Sequence, residues 1–414
     1  MLELDLRPGY GLGAFELGAS LWNVLDTLRE DPTHPQVDVK FDALSPSTSP
    51  IILHVRPHVD LLFTGHAQRL HTISLRRLRG GGPGANELRL TYRDQPISAP
   101  AGGVVLRRGS VHKVFGPTYA GDAMRYPGVW FAFEEDGAPG GGMGGGVGGG
   151  GTMPMLVKKG EAADAERERA QEVKRVVICQ RSAGAGEEGA VGGGGERDGF
   201  EEVIECPVMM GDLKRAVVKV KSGVTLYFYS PASSPSDPIH VQIGRTSAED
   251  LLCDLGPPLR IHYKEDDRMT IHATPSTTTD PDETNEGYFY NYFQHGIDFL
   301  LSGTTHKVKK IVLHSNVPGS HLFQRYKRCP WEIVPTEGDE DDSLNNVSFH
   351  DKIEDITSVL NPSSRETPPS MILDRSADFP ETLTLPGSTT RLTGFDGVVL
   401  EVSEIGDVLS VMLF

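Results

Sequence analysis

Six of the 14 histidines, His58, His66, His71, His295, His306 and His314, sit in or beside two strongly patterned hairpins. Histidine is the side chain best suited to binding a metal or moving a proton near neutral pH. A zinc site needs ligands at set spacings, and no two of these six share a metal-ligand spacing on one face. They read as strand-edge and turn residues, so no metal is expected. Glu265-Asp266-Asp267 offers carboxylates for general acid–base work, but adjacent acids within a Tyr-Lys-Glu-Asp-Asp-Arg turn are normally solvated. The chain has no Gly-x-Ser-x-Gly, no Walker phosphate loop and no His-Glu-x-x-His. Its Gly140–Gly151 tract lacks the preceding strand and following helix that would make it a phosphate cradle. Cys179, Cys206, Cys253 and Cys329 are scattered without a Cys-x-x-Cys pair, which supports neither a zinc nor a redox site. No catalytic, cofactor or metal residue is expected, and the chain reads as something other than an enzyme.

The remaining chemistry is that of surfaces. Tyr288, Tyr290 and Tyr292 line one face of a strand, and tyrosine is enriched where proteins meet. Ordinary cross-strand packing explains the same row. His306, Lys307, Lys309 and Lys310 form the most concentrated basic spot outside the Gly-rich segment. They suit an acidic partner, a lipid phosphate, or simply a solvated hairpin end. These residues, with Arg328, are the candidate partner-binding positions.

The elements that must position them recur. Tyr288–Phe293, Ile297–Leu301 and Val308–His314 read as three antiparallel strands from the alternation of aromatic and branched residues. Gly296 sits where a turn asks for a positive φ. Ile297, Phe299 and Leu301 share one face, Ile311 and Leu313 face the core, and Lys310, Val312 and His314 face away. The step from Val59 to Ile73 equals that from Ile297 to Ile311, 14 residues, and Val398 to Val411 is 13. Gly128–Phe133 repeats the first half of the phrase. Helical spacing precedes each copy: residues 15–30, Arg108 to Pro117, Ser247 to Leu255 with a Thr246/Glu249 capping box and a Gly256-Pro257-Pro258 stop, and Phe349 to Leu360. The expected fold is α+β, with four tandem units, each a helix packed on a small antiparallel meander. Val217–Val220 and Val224–Tyr229 form a further hairpin, expected to pair onto the third unit's meander.

The domains read as 1–136 (two units), 137–199 (a Gly-rich and charged disordered insertion) and 200–414 (two units). The insertion supplies too little apolar area to offset ordering entropy. The net charge of −17 argues against generic adhesion to nucleic acid or anionic membranes. Met1–Leu6 alternates like a strand rather than a secretory signal, and no run reaches the roughly 20 apolar residues of a membrane span. A reducing cytosolic setting is expected.

Several phrases resemble the eukaryotic phagosome (phagophore) assembly factor family, long described as an uncharacterised lin-10-homologue family. They are Tyr263–His272, Tyr288–Phe293, Gly296–Leu300, Thr305–Asn316 with Pro318-Gly319, and Tyr326–Cys329. Phe15–Gly18 and Gly397–Phe414 agree more weakly and in the same order. The resemblance implies a non-enzymatic cytosolic factor in autophagy that acts with a phosphoinositide-binding-type β-propeller partner and is recruited to the phagophore (preautophagosomal) site. Alternatives are an enzyme or small-ligand protein with a cleft between units, or a vesicle-trafficking adaptor at the Golgi.

Overall fold

The computed structural model describes residues 2–31, 35–78, 88–99, 103–118, 123–133, 166–181, 202–263, 287–334, 346–361, 368–374 and 389–414. Strands dominate because branched and aromatic residues alternate with polar ones. Along Ile51–Val55 and Val59–Phe63 every second residue is buried, so one face of each strand enters the core.

The first half builds two sheets. β1 (Leu2–Arg7) lies between β2 (Gly11–Leu12) and β8 (Leu88–Tyr92), with β3 (Phe15–Glu16) and β9 (Gln95–Ser98) at the edges. The larger sheet runs β10 (Ala123–Tyr126), β11 (Val129–Ala132), β12 (Arg175–Cys179), β7 (Leu70–Arg76), β6 (Val59–Phe63), β5 (Ile51–Val55), β4 (Val37–Lys40). The second half repeats this plan. Its smaller sheet is β15 (Ile239–Gln242), β14 (Gly223–Phe228), β13 (Leu213–Lys219), β20 (Trp331–Val334), β21 (Val347–Ser348). Its larger sheet is β16 (Arg260–Tyr263), β17 (Tyr288–Tyr292), β18 (Ile297–Leu301), β19 (Val308–His314), β25 (Val408–Leu413), β24 (Val398–Val402), β23 (Thr389–Phe395), β22 (Ser370–Asp374). Each smaller sheet has one parallel pair at matching places, β1 with β8 and β13 with β20. Each half has its own hydrophobic core.

Four helices, Leu21–Glu30, Arg108–Phe115, Ala248–Leu255 and Ile353–Leu360, are anchored alike. Their N-cap residues Ser20, Arg107, Ser247 and Lys352 bridge to Arg69, Glu172, Lys307 and Asp407. Their first amides donate to the carbonyls of Gln68, Gln171, His306 and Gly406. A helix N-terminus must satisfy its free amides, and here the turn before a sheet strand does so each time. The hairpins β6–β7, β18–β19 and β24–β25 also share a register shift at the same place, Leu62/Phe63, Leu300/Leu301 and Glu401/Val402.

The structure corrects several expectations. The segment 137–199 is not wholly an insertion: β12 lies within it, at the centre of the seven-stranded sheet between β11 and β7. Val176, Val177 and Ile178 are buried. The hairpin begun by Gly128–Phe133 is therefore completed after the Gly-rich tract, and the boundary at 136 falls inside it. Residues 166–174, just before β12, also pack on the fold: Gln171 O accepts from Arg108 N, and Val173 is buried. Residues 137–165 and 182–199, the acids 265–267, the polar loop 273–286 and the acidic run 337–342 lie outside the described residues. The β13–β14 hairpin joins the smaller sheet instead of the third meander, because β13 pairs in parallel with β20. The capping box is Ser247 with Asp250 rather than Thr246 with Glu249, since Ser247 is the residue in extended backbone at the helix start. The first and last helices start at Leu21 and Ile353, later than the periodicity suggests. As expected, β18 pairs with both β17 and β19, and Gly256 ends the third helix.

Ile178→Ala should cost about 2–5 kcal/mol in urea unfolding, the usual range for emptying a fully buried aliphatic site. Deleting 140–196, harmless for a solvated linker, removes β12 and should abolish cooperative melting of the N-terminal half.

Candidate functional site

The three tyrosines do not form an exposed face. Tyr288, Tyr290 and Tyr292 are buried in the C-terminal core. The helix Ala248–Leu255 lies against Tyr292, whose hydroxyl reaches Leu251 O and donates to Gly256 O at 2.9 Å. Tyr288 pairs its hydroxyl with His306 Nδ1 at 2.8 Å. Cross-strand packing is therefore their place, and burial pushes the Tyr288 and Tyr292 phenols up. His306, Lys307 and Lys309 are exposed at the start of β19. Lys310 lies 4.8 Å from the Phe414 ring centroid. His314 faces away from the core but is buried all the same, stacked on Tyr326 with ring centroids 3.7 Å apart.

The tyrosine row continues outward onto a strand that the sequence did not single out. Ile261 lies opposite Tyr290 and Tyr263 opposite Tyr288. Among the described residues β16 pairs only with β17, and all four of its residues are exposed. The alternating apolar residues Leu259, Ile261 and Tyr263 are 57%, 46% and 68% exposed. Such an edge presents unpaired backbone groups together with an apolar row, a template for strand addition. At the far edge, β22 exposes Met371 and Ile372.

Arg328 belongs to a different structure, a buried polar seam between the halves. Its Nε donates to Ser315 O at 2.8 Å, and its Nη1 to the carbonyls of Ser47, Gly65 and His66 at 3.0, 2.5 and 2.8 Å. Burial opposes its charge and the Asp407 carboxylate supports it. Next to it, Lys327 and Arg69 share the carboxylate of Asp212, each at 2.5 Å. Burial pulls the Lys327 ammonium down to about 8, against the pull of Asp212. Gln68 and Asn316 exchange amide hydrogen bonds: Gln68 Nε2 donates to Asn316 O at 2.9 Å and Asn316 Nδ2 to Gln68 Oε1 at 2.8 Å. Ser47 and Lys352 both donate to Asp407, at 2.7 and 2.9 Å. Gly296 makes the approach possible. Its φ is +71°, and a Cβ there would stand 2.2 Å from Lys327 O. Sequence reading missed Gln68, Arg69, Asp212 and Asp407; the one signal was the pair Lys327-Arg328 set against the apolar Cys-Pro-Trp that follows.

Lys327 and Arg328 also line a cavity of about 50 Å³ with His66, Gln68 and Arg69. That is room for water, well below the roughly 300 Å³ and more of a small-molecule site. Among the described residues no cluster of His, Cys, Asp and Glu could hold a metal ion, and no helix is long and apolar enough to cross a membrane.

The family model described as phagosome assembly factor 1 matches residues 11–166 and 204–414. A PHAF1 protein of Arabidopsis thaliana is 28% identical, with 99% of this chain and 92% of the relative covered. One of Caenorhabditis elegans is 22% identical over 100% and 94%. One of Drosophila melanogaster is 30% identical over 41% and 40%. No solved structure matches.

Arg328→Met leaves four carbonyls at the seam without their donor. It should cost about 3–5 kcal/mol, the range for breaking a buried charged network, and split calorimetric melting into two transitions, one per core. A second expectation concerns His295, whose imidazole burial and the nearby Lys327 charge hold down to about 4, while Asp212 works the other way. The folded chain keeps it neutral where the unfolded chain takes a proton, so ν_U exceeds ν_N between pH 6.5 and 4. Stability contributed by the neutral ring is complete above pH 6.5 and is lost as pH falls towards 4. His295→Gln should flatten that part of a stability–pH profile measured by urea unfolding.

Proposed function

Because the chain belongs to the phagosome assembly factor 1 family, we propose that it serves phagosome assembly by binding protein partners and not by catalysis. The observation that carries this reading is the edge strand of the eight-stranded sheet, β16, which among the described residues pairs only with β17. Leu259, Ile261 and Tyr263 alternate along it, and their exposed side chains extend the buried tyrosine row to the surface. An extended segment of a partner adds to β16 through main-chain hydrogen bonds and is selected by that apolar row. The partner is a β-propeller protein of the phosphoinositide-binding type, whose blades end in outer strands. Recruitment to the phagophore site then runs through the partner.

Two further points favour binding over chemistry. The perturbed cationic groups, Lys327 and Arg328, are directed at carbonyls and carboxylates that join the halves. The cavity beside them takes water-sized occupants only. The basic residues His306, Lys307 and Lys309 stand at the turn into β19, where they add charge complementarity to an acidic partner.

Ile261→Asp with Tyr263→Ser should leave the melting temperature within a few degrees, since both side chains are exposed. Recovery of a β-propeller protein from cells under autophagy induction should fall at least tenfold against the wild-type chain. Met371→Asp on the opposite edge should leave recovery intact. Undiminished recovery by the β16 variant would overturn the assignment to this edge.

A further inference from the structure

The repeated plan of the two halves places a carboxylate at the same point of each larger sheet, Asp60 as the second residue of β6 and Asp298 as the second of β18. The equivalence is set by hydrogen bonds. Asp60 lies opposite His54 and Asp298 opposite Asn291. The last residues of the neighbouring strands, Arg76 and His314, donate their amides to His58 O and Gly296 O, one residue before each β6 or β18 strand begins.

In the second half this carboxylate is closed over. Asp298 accepts from Asn291 Nδ2 at 2.7 Å, from His314 Nε2 at 2.9 Å and from the Tyr326 hydroxyl at 2.7 Å. Tyr326 comes from the chain that follows β19, and its ring lies flat on His314. In the first half the same place is an open cleft of about 360 Å³. Asp60 Oδ1 meets His54 Nδ1 at 2.6 Å. Arg76 Nε stands 2.7 Å from Oδ2 as an ion pair, yet among the described residues that oxygen accepts no hydrogen bond, and His54 Nε2 likewise has no partner. A buried carboxylate oxygen short of a donor is costly. The chain that follows β7, Arg77-Leu78-Arg79-Gly80-Gly81-Gly82-Pro83-Gly84-Ala85-Asn86-Glu87, contains no aromatic residue. It cannot supply the phenol that its counterpart supplies.

We propose that the cleft over Asp60 receives a tyrosine side chain from an acidic peptide segment of a partner. The phenol donates to Asp60 Oδ2 as Tyr326 donates to Asp298. Arg76, half exposed, moves from its cover position and takes the ring on its guanidinium plane, as His314 takes Tyr326. The rim fixes the sign of the segment. Lys40, Arg56, Arg76 and Arg77 stand against Asp38 and Asp60, and neither Lys40 nor Arg77 forms an ion pair with another described residue. On a chain of net charge −17 this is a local cationic surface, and it favours glutamates or aspartates beside the tyrosine. The cleft is in the other half from β16, so the two binding assignments stand or fall separately.

The test uses the full chain and three fluorescent peptides of sequence Glu-Glu-X-Glu-Glu, with X as Tyr, Phe or phosphotyrosine, read by anisotropy at fixed salt. The Tyr peptide should bind, and the Phe peptide should bind roughly ten- to a hundredfold more weakly, the worth of a hydrogen bond to a charged group. Asp60→Asn should shrink that Tyr/Phe ratio. Should Asp60→Asn fail to fold, the surface variant Lys40→Glu/Arg77→Glu is read instead. It should weaken both peptides at least tenfold and keep their ratio. Absence of binding, equal binding of Tyr and Phe, or tighter binding of phosphotyrosine, which would make the cleft an anion site, each overturns the proposal.

Discussion

The contact between the halves turns on a partly buried carboxylate with two buried cations on it. Asp212 from the start of the second half holds Arg69 from the first and Lys327 from the second. Moving three charged groups out of water costs several kcal/mol each unless geometry and hydrogen bonds compensate. The Lys327–Asp212 pair lies within the second half, but Arg69 finds its carboxylate only when both halves are in place. Arg328 extends the same logic, since three of its acceptors are carbonyls of the first half. Each half has its own hydrophobic core, but neither satisfies all of these groups alone. The seam therefore acts less as glue than as a registry device. Apolar surfaces tolerate sliding, whereas a buried guanidinium with four carbonyls at 2.5 to 3.0 Å does not.

The same accounting explains the helix anchors. A turn that enters a core strand must bury its carbonyl, and a helix start must spend its free amides. Pairing Gln68 with Leu21, His306 with Ala248 and Gly406 with Ile353 meets both needs at once. Gln68, His306 and Gly406 all adopt positive φ, 49°, 52° and 84°, so the turn keeps its shape although its residue type changes.

How far the sequence revealed this depended on the range of the interaction. The β17–β18–β19 meander was legible because aromatic and branched residues alternate and Gly296 marks the turn; the paired hairpins of both halves were legible for the same reason. β12 was not, because Val176–Ile178 is a short apolar run far down the chain from Ala132, surrounded by residues that carry no pattern. Tyr288, Tyr290 and Tyr292 share a face on alternation alone, but alternation does not tell which face a helix covers. Thr246 and Ser247 can each cap a helix, and only the backbone conformation chose between them. The seam joins positions as distant as Ser47 and Asp407, and no local period announces a contact of that range. Arg328 was picked out within a family phrase, yet its partners lie in the other half.

The position of β12 also has a consequence for how the chain comes into being. A ribosome delivers β4 to β7 and then β10 and β11 early, but the strand that must lie between those two groups emerges only after the long stretch 134–165. Until then the edges of β7 and β11 face each other without their connector, and the first half waits as two partial sheets with exposed strand edges. A nascent chain paused within that stretch would be a natural client for a chaperone, and cleavage there would yield two fragments that must find each other again to make one sheet.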